Sequence, residues 1–282
     1  MTISTAPPTV AVKASATQEV DRKNQLWSSL IFLIGALYFL IPLAATFYWS
    51  LRAEKGRLGF EAYRRLFADT NFVPAFSQSM VNAIAAIIIC LVLIVPTAYW
   101  VTLRMPKLRP VIEFITFLPF VIPAVVLVFG LIRLYSRPPL LWTATYASSR
   151  VLLVCVYAAL SFPYMFRSVD NGLRAMDVRA LTEAAQSLGA NWTTILLRVI
   201  FPNLRVALLS GALLTFAIVI GELTIALYMA QHTLGPYMAD LTRAKVYEPS
   251  AMAIVAFAIT WAALGLIQLV ARGQQVQIAG GR

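Results

Sequence analysis

Charged residues, cysteine and histidine are all scarce in this chain of 282 residues. Charged side chains make up 12% of it, where a typical soluble domain has about 25%. Two cysteines, Cys90 and Cys155, lie in apolar stretches, so the sequence indicates no disulfide framework. The single histidine, His232, has no cysteine or acidic neighbour at metal-ligand spacing. We therefore predict no metal site and no nucleophilic catalytic triad.

A phosphate-binding loop of the form Gly-x-x-x-x-Gly-Lys-Ser/Thr is also missing, so we expect no ATP site on this chain. The sequence likewise has no polar segment long enough for a soluble domain that captures a solute. We therefore predict that this chain binds no cofactor.

Long uncharged hydrophobic tracts are abundant, since hydrophobic residues make up 60% of the chain. Crossing a bilayer takes about 20 apolar residues in a helix, and isolated strands would leave backbone groups unpaired in lipid. The tracts predict an all-α polytopic membrane protein with six transmembrane helices. The predicted spans are 26–51, 79–102, 112–134, 149–169, 204–230 and 249–271. Prolines in or near these spans are expected to kink the helices: Pro42, Pro96, Pro119, Pro123 and Pro163.

The formal charge of +11 comes from 23 basic and 12 acidic residues. The basic residues flank the predicted spans, which indicates contact with membrane lipid and headgroups rather than with nucleic acid. The positive-inside rule gives little help with topology, because the first outer loop is itself basic. Its basic residues are Arg52, Lys55, Arg57, Arg64 and Arg65.

Four segments follow from this pattern. Residues 1–25 are rich in Ala, Thr, Pro and Val, and we predict a disordered cytoplasmic tail there. Residues 26–78 form the first transmembrane helix and an external loop, in which Phe60, Tyr63, Leu66 and Phe67 have helical spacing. This spacing fits an amphipathic helix on the outer membrane surface or a packed loop. Residues 79–271 hold the other five helices, and residues 272–282 form a cytoplasmic tail.

The polar interval between the fourth and fifth spans has the spacing of a docking device. Asp177 is placed to cap a short helix, on which Leu181, Ala184, Ala185 and Leu188 fall on one face and Glu183 lies away from it. Gly189 supplies the left-handed conformation that ends such a helix. Asn191 is placed to begin the next helix, and Pro202 is placed to bend it near the membrane.

Residues 183–202 read EAAQSLGANWTTILLRVIFP. This pattern resembles the signature of permease subunits of binding-protein-dependent ABC importers, within the spermidine/putrescine, ferric iron, thiamine and aminoethylphosphonate branch. The resemblance extends over roughly 60–271, and Phe201 stands where the family usually has Leu.

The resemblance implies a coupling helix at about 178–188 that docks on a cytoplasmic ATPase. Its ATPase-coupling residues are Glu183, Ala184, Ala185, Leu188, Gly189 and Pro202. It also implies a second permease subunit, an extracytoplasmic substrate-binding protein and a bacterial inner-membrane location with both termini in the cytoplasm. The expected function is ATP-driven import by alternating access.

Polar residues within the spans are candidates for the substrate pathway, because polar groups at bilayer depth usually face protein or water. Glu222 is the strongest of them and is compatible with a cationic substrate. The resemblance implies a polyamine-type solute, although the basic outer loops would also suit an anion. The weaker candidates are Asn82, Tyr157, Ser161 and Thr215. Each of these residues has a structural alternative as an interhelical hydrogen-bonding group.

Two other function classes compete with an importer subunit. An ion-coupled secondary carrier would need broken helices with ion ligands at mid-membrane, and only Glu222 meets this requirement. A membrane-embedded enzyme would need a cluster of titratable groups, which the sequence does not offer.

Overall fold

The chain is helical almost throughout. The computed structural model describes residues 9–54 and 57–279, with side chains for residues 27–54, 57–262 and 265. Within this described part, the only β-structure is an isolated bridge between Glu54 and Arg57. The first six helices are α1 Thr9–Ser50, α2 Glu61–Ala68, α3 Phe72–Arg104, α4 Arg109–Val121, α5 Ala124–Tyr135 and α6 Tyr146–Arg174. The others are α7 Val178–Ser187, α8 Trp192–Asn203, α9 Arg205–Gly221, α10 Thr224–Tyr228, α11 Leu234–Ala244 and α12 Glu248–Ala279.

Helical structure extends into both predicted tails. Helix α1 begins at Thr9, so residues 9–25 of the expected disordered tail are helical. Neither proline nor glycine occurs between Thr9 and Gly35, and the chain there has nothing that breaks a helix. At the other end, α12 continues to Ala279 through most of the tail predicted over 272–282. Residues 1–8 and 280–282 lie outside the described residues.

Apolar helices of membrane-spanning length confirm a polytopic membrane protein. Three helical stretches in the described part are long and apolar enough by themselves: Trp27–Ala53, Phe72–Arg104 and Tyr146–Arg174. Two bent helix pairs raise the number to five if each pair is one span. Glu248–Ala262 is a shorter apolar stretch at the predicted sixth span. The count of six spans therefore stays a prediction.

The third predicted span, 112–134, is broken in the middle. Helix α4 ends at Val121 and α5 begins at Ala124, with an angle of 93° between the two axes. Ile122 is extended, with ψ of 126°, because a residue before proline is disfavoured in the α conformation. Pro123 also lacks the backbone N–H that a continuous helix needs.

The fifth predicted span, 204–230, is also interrupted. Helix α9 ends at Gly221, and Glu222 is extended with ψ of 125° before the short helix α10. A carboxylate at bilayer depth is costly unless donors satisfy it. Breaking the helix here frees backbone N–H groups that satisfy it.

Helices α3, α6 and α9 pack against one another and form the main core. The fully buried side chains Tyr99, Tyr157, Leu153 and Met165 lie in this core. Gly211 of α9 permits the close approach of α6, because a Cβ at this position would collide with Met165. Helices α7 and α8 add Ala185, Ile195 and Ile200 to the same core, so the predicted docking segment is anchored in the membrane bundle.

A smaller apolar cluster joins α2, the start of α3, α11 and the start of α12. Helix α2 buries Ala62 and Leu66 in it, while Phe60 and Phe67 remain exposed. Asp69 accepts a hydrogen bond from Tyr237 at 3.1 Å. Burial, followed by the hydrogen bond and charge of Asp69, raises the pKa of Tyr237 above its ordinary value. The helix predicted in the first external loop is therefore present as α2, and it packs against the rest of the chain through Ala62 and Leu66.

Candidate functional site

Helix α7 is set up by its capping residues. The Asp177 carboxylate accepts a hydrogen bond from the Ala180 N–H at 3.0 Å, which satisfies a backbone donor that would otherwise have no partner. The helix follows α6 closely, since α6 ends at Arg174 and α7 begins at Val178. A short connection therefore joins α7 to one of the three core helices.

The inner face of α7 consists of Val178, Thr182 and Ala185, which are all buried. The hydroxyl oxygens of Thr182 and Tyr99 lie 3.0 Å apart and share a hydrogen bond, which ties α7 to α3. The sequence pattern had placed Ala185 on one face with Ala184 and Leu188. The structure divides that set, because the helix packs through residues spaced by three and four positions.

The outer face of α7 presents Glu183, Ala184 and Leu188, all of them exposed. Leu188 is the most exposed large hydrophobic residue of the described chain, at 89%. Among the described residues, the Glu183 carboxylate has no hydrogen-bond or ion-pair partner. An exposed leucine beside a small alanine and an unpaired acid leaves this face able to bind another protein.

Gly189 ends the segment as the sequence pattern requires. Its φ is +78°, which is strained for any residue with a Cβ. The Ala190 N–H donates to the Ala185 carbonyl at 3.0 Å, and the Gly189 N–H donates to Gln186 at 2.8 Å. These are the hydrogen bonds of a helix C-cap. Gly189 thereby turns the chain so that Leu188 projects outward.

The segment after Gly189 returns to the membrane bundle through α8. The Asn191 side chain caps α8 by accepting from the Thr194 N–H at 2.9 Å. Helices α8 and α9 are bent by 79° at Leu204, two residues after Pro202. Pro202 therefore lies close to this bend, as the sequence pattern predicts.

Glu222 forms the centre of a second polar site, in the break between α9 and α10. Its two carboxylate oxygens accept from the backbone N–H of Ile225 at 2.8 Å and of Ala226 at 3.2 Å. The Tyr157 hydroxyl of α6 donates to the same carboxylate at 3.2 Å. Glu222 also lines a cleft of about 550 Å³ at the break between α4 and α5. The carboxylate is thus held by the chain and borders an open space.

The other pathway candidates are dispersed. Ser161 donates to the Tyr157 carbonyl and Thr215 donates to the Gly211 carbonyl, each within its own helix and fully buried. Asn82 is fully buried, and its side-chain oxygen accepts from Arg150 at 3.0 Å. The structure therefore joins Tyr157 to Glu222 and leaves Ser161, Thr215 and Asn82 in separate contacts.

Sequence reasoning missed two charged residues that the structure places inside the bundle. Arg150 lies at the beginning of α6, and Asp170 lies buried near its end. Asp170 pairs with Arg109 of α4 and with Arg174 at 3.3 Å, and Arg109 also pairs with Glu113 at 3.1 Å. Arg150 and Asp170 flank the apolar run of α6, and this position was the signal in the sequence that could have identified them. In the described residues no group of three His, Cys, Asp or Glu side chains could hold a metal ion.

Similarity to known proteins agrees with this architecture. Residues 94–273 match the family model described as a binding-protein-dependent transport system inner membrane component. A probable molybdenum ABC transporter permease of Haloferax volcanii is 30% identical over 215 residues, covering 74% of this chain and 76% of the relative. A spermidine/putrescine transport permease homologue of Mycoplasma genitalium is 27% identical, covering 78% and 80%.

Solved structures show the same fold. A chain from the crystal structure of a bacterial alginate ABC transporter, in complex with its alginate-bound periplasmic protein, superimposes with a TM-score of 0.68. Its sequence identity is 15%, and the match covers 90% of this chain and 96% of that chain. In transporters of this kind the ATPase is a separate subunit. The chain belongs to the family of binding-protein-dependent inner membrane components, and it is a multi-pass permease subunit of an ABC importer related to the polyamine branch.

Proposed function

We propose that the exposed face of α7 is the coupling surface on which a cytoplasmic ATPase docks. The observation that carries this proposal is the division of α7 into two faces. Val178, Thr182 and Ala185 are buried, whereas Ala184 and Leu188 project outward beside an unpaired Glu183. A small apolar contact with one acid suits a shallow cleft that offers a basic or backbone donor.

Force applied to α7 has two routes into the bundle. The hydrogen bond between Thr182 and Tyr99 links α7 to α3, and the short connection after Arg174 links it to α6. Asp170 near the end of α6 extends the second route to α4 through Arg109. When two ATPase subunits close on ATP and Mg²⁺, displacement of α7 moves α3, α4 and α6 together. This movement would alternate access between the two sides of the membrane.

The solute pathway is proposed to lie between this chain and a second permease subunit, the same or homologous. The cleft beside Glu222 is bordered by Pro119 and Pro123 at the break between α4 and α5. Broken helices are where polar backbone is permitted at bilayer depth, because there it lines protein or water. Glu222 therefore lies at the edge of the proposed pathway, and the buried Tyr157 hydrogen-bonds to its carboxylate. An extracytoplasmic binding protein delivers the solute to it.

A polyamine is the first candidate for the solute. Several relatives are spermidine/putrescine permeases, among them one of Escherichia coli that is 28% identical over 165 residues. Glu222 adds an acidic group beside the cleft. The second candidate is a divalent oxyanion, because other relatives are named for molybdenum and sulfate. The observation that favours it is Arg150, a half-buried cation whose hydrogen-bond partner among the described residues is the neutral Asn82.

The test is solute uptake by the complete transporter in liposomes. This chain would be purified with its co-encoded ATPase, second permease and binding protein, and uptake of labelled spermidine and of molybdate would be measured with and without ATP. The proposal predicts uptake of one solute that requires both ATP and the binding protein. Uptake driven by an ion gradient without ATP would instead support a secondary carrier and contradict the proposal.

A further inference from the structure

A large cleft lies at the C-terminal end of α3, beside the end of α7 and the start of α8. Its volume is about 810 Å³. One wall is the last two turns of α3, with Trp100 and Arg104, and another includes Ile112 of α4. The third wall is formed by Gln186 of α7 and Trp192 of α8.

The lining of the cleft is complementary to an amphipathic ligand that has a negatively charged end. Arg104 is the one charged residue among those lining it in the described structure, and no carboxylate lines it. Lys107, three residues further along the chain, is exposed but does not line the cleft. The other walls are largely apolar, and Trp100 and Trp192 are exposed by 50% and 44%.

The depth of the cleft decides what kind of molecule reaches it. Arg104 is the last residue of α3, a helix of 33 residues that is apolar enough to cross the membrane. Its guanidinium is therefore expected at the headgroup level, where basic and aromatic residues collect. Trp100 and Pro96 lie one and two turns deeper, at the level of acyl chains. A soluble protein does not reach that depth, whereas a lipid does.

We propose that this cleft binds an anionic phospholipid. The phosphate pairs with Arg104, and an acyl chain occupies the groove between α3 and α4 against Trp100. Basic pockets between helices on the cytoplasmic side bind anionic headgroups in the same way. Lipid binding does not depend on the proposed function. Only the further expectation, that a bound lipid supports coupling through Gln186 and Trp192, rests on it.

The first experiment measures lipid preference by native mass spectrometry of the purified transporter. Phosphatidylglycerol is expected to remain bound to the wild-type chain at detergent concentrations that remove phosphatidylcholine. Arg104→Gln is expected to weaken phosphatidylglycerol retention about fivefold. Arg205→Gln is the matched control, because Arg205 is an exposed arginine that does not line the cleft. Equal retention of the two lipids by the wild-type chain would overturn the proposal.

The second experiment locates the lipid by quenching of tryptophan fluorescence. Phosphatidylglycerol with brominated acyl chains is expected to quench more strongly than the matching phosphatidylcholine, and Trp100→Phe is expected to remove this difference. Trp261→Phe removes an exposed tryptophan of α12 and is expected to leave the difference intact. A difference that survives Trp100→Phe would place the lipid elsewhere. A photo-crosslinker at position 100 that captures the ATPase or the second permease would show that protein covers the cleft, which also overturns the proposal.

Loss of lipid preference is distinguishable from failure of the coupling proposal. Arg104→Gln is expected to reduce the gain in transport activity on adding phosphatidylglycerol, with ATPase association unchanged. If the lipid binds as described but transport activity does not respond to it, the lipid-binding proposal is supported and the expected effect of the lipid on coupling through α7 is contradicted.

Discussion

Glu183 lies within helix α7 and Glu222 at the break between α9 and α10, and the chain treats these two glutamates in opposite ways. Glu222 accepts two backbone N–H groups and the Tyr157 hydroxyl. Glu183 lies on the exposed side of α7 with no partner among the described residues. One carboxylate is satisfied within the fold, and the other is left for something outside it.

The proposed docking role of Glu183 rests on this difference. A buried carboxylate without donors would cost several kcal/mol, on the order of 3 on insertion scales, so the helix break at Glu222 is required by its position in the membrane. An exposed carboxylate in water needs no partner, so the fold gives no reason for an acid at Glu183. The same holds for Leu188, whose exposure gains this chain nothing by itself. The substitutions below test whether these two regions have separate roles.

The largest effect is expected from Ala184→Arg on the outer face of α7. A long charged side chain there would prevent close approach of the ATPase, and losing a central contact of this kind costs about 30-fold or more in affinity. ATP-dependent uptake should fall to near background and the ATPase should no longer co-purify. Ala244→Arg, the same substitution at an exposed position of α11, which the predicted topology puts on the outer side, is the control. Co-purification of the ATPase with Ala184→Arg would remove α7 from the docking surface.

Gly189→Val should have the next largest effect. Gly189 has a φ of +78°, a conformation that costs roughly 1–2 kcal/mol for a residue with a Cβ. The turn would therefore rearrange in the valine variant, and Leu188 would point in another direction. We expect uptake to fall about 10-fold, in line with that cost. Gly189→Asn should retain most activity, because asparagine tolerates the left-handed conformation. Equal uptake by the two variants would show that this turn does not position the docking face.

Glu222→Ala should act on stability before transport. It removes the acceptor of two backbone N–H groups at the start of α10, and losing such a cap costs about 0.5–2 kcal/mol. The thermal unfolding temperature in detergent should fall. It should fall less for Glu222→Gln, because the glutamine amide oxygen still accepts a hydrogen bond from the backbone. If Glu222→Gln loses uptake while its stability is unchanged, the carboxylate contacts the solute and is not merely structural.

Tyr157→Phe should have the smallest effect. It removes one hydrogen bond to Glu222 and leaves the two backbone donors in place, at a cost of about 1 kcal/mol. We expect a small decrease in thermal stability, with ATPase association unaffected. Thermal unfolding monitored by tryptophan fluorescence would measure it. A decrease as large as that of Glu222→Ala would mean that the tyrosine, rather than the helix cap, holds the carboxylate.

Much of this molecule could be predicted from sequence wherever local chemistry decides the outcome. Asp177, Gly189 and Asn191 act through adjacent backbone, and the structure places their caps and turn where the spacing requires them. The apolar tracts likewise predicted an all-helical membrane protein. Periodicity alone assigned Ala185 to the outer face, because only packing against Tyr99 and the core shows which side of α7 is covered.

What the sequence could not predict depends on contacts between distant residues. Hydropathy merged α4 and α5 into one span, and the proline pattern predicted only a kink at Pro123, where the two helix axes meet at 93°. The pairing of Arg109 with Asp170 joins residues 61 positions apart, which no local pattern reveals. The satisfied state of Glu222 likewise depends on Tyr157, 65 positions away.

Photo-crosslinking from position 188 tests the central claim most directly, with the crosslinking residue at Leu188 in the assembled transporter. Leu188 is 89% exposed at the end of α7, so a partner docked on this face must lie against it. The account predicts a covalent adduct with the ATP-hydrolysing subunit from position 188 and none from position 244. No adduct with that subunit, or labelling of Leu188→Cys by a membrane-impermeant reagent from outside the cell, would contradict it.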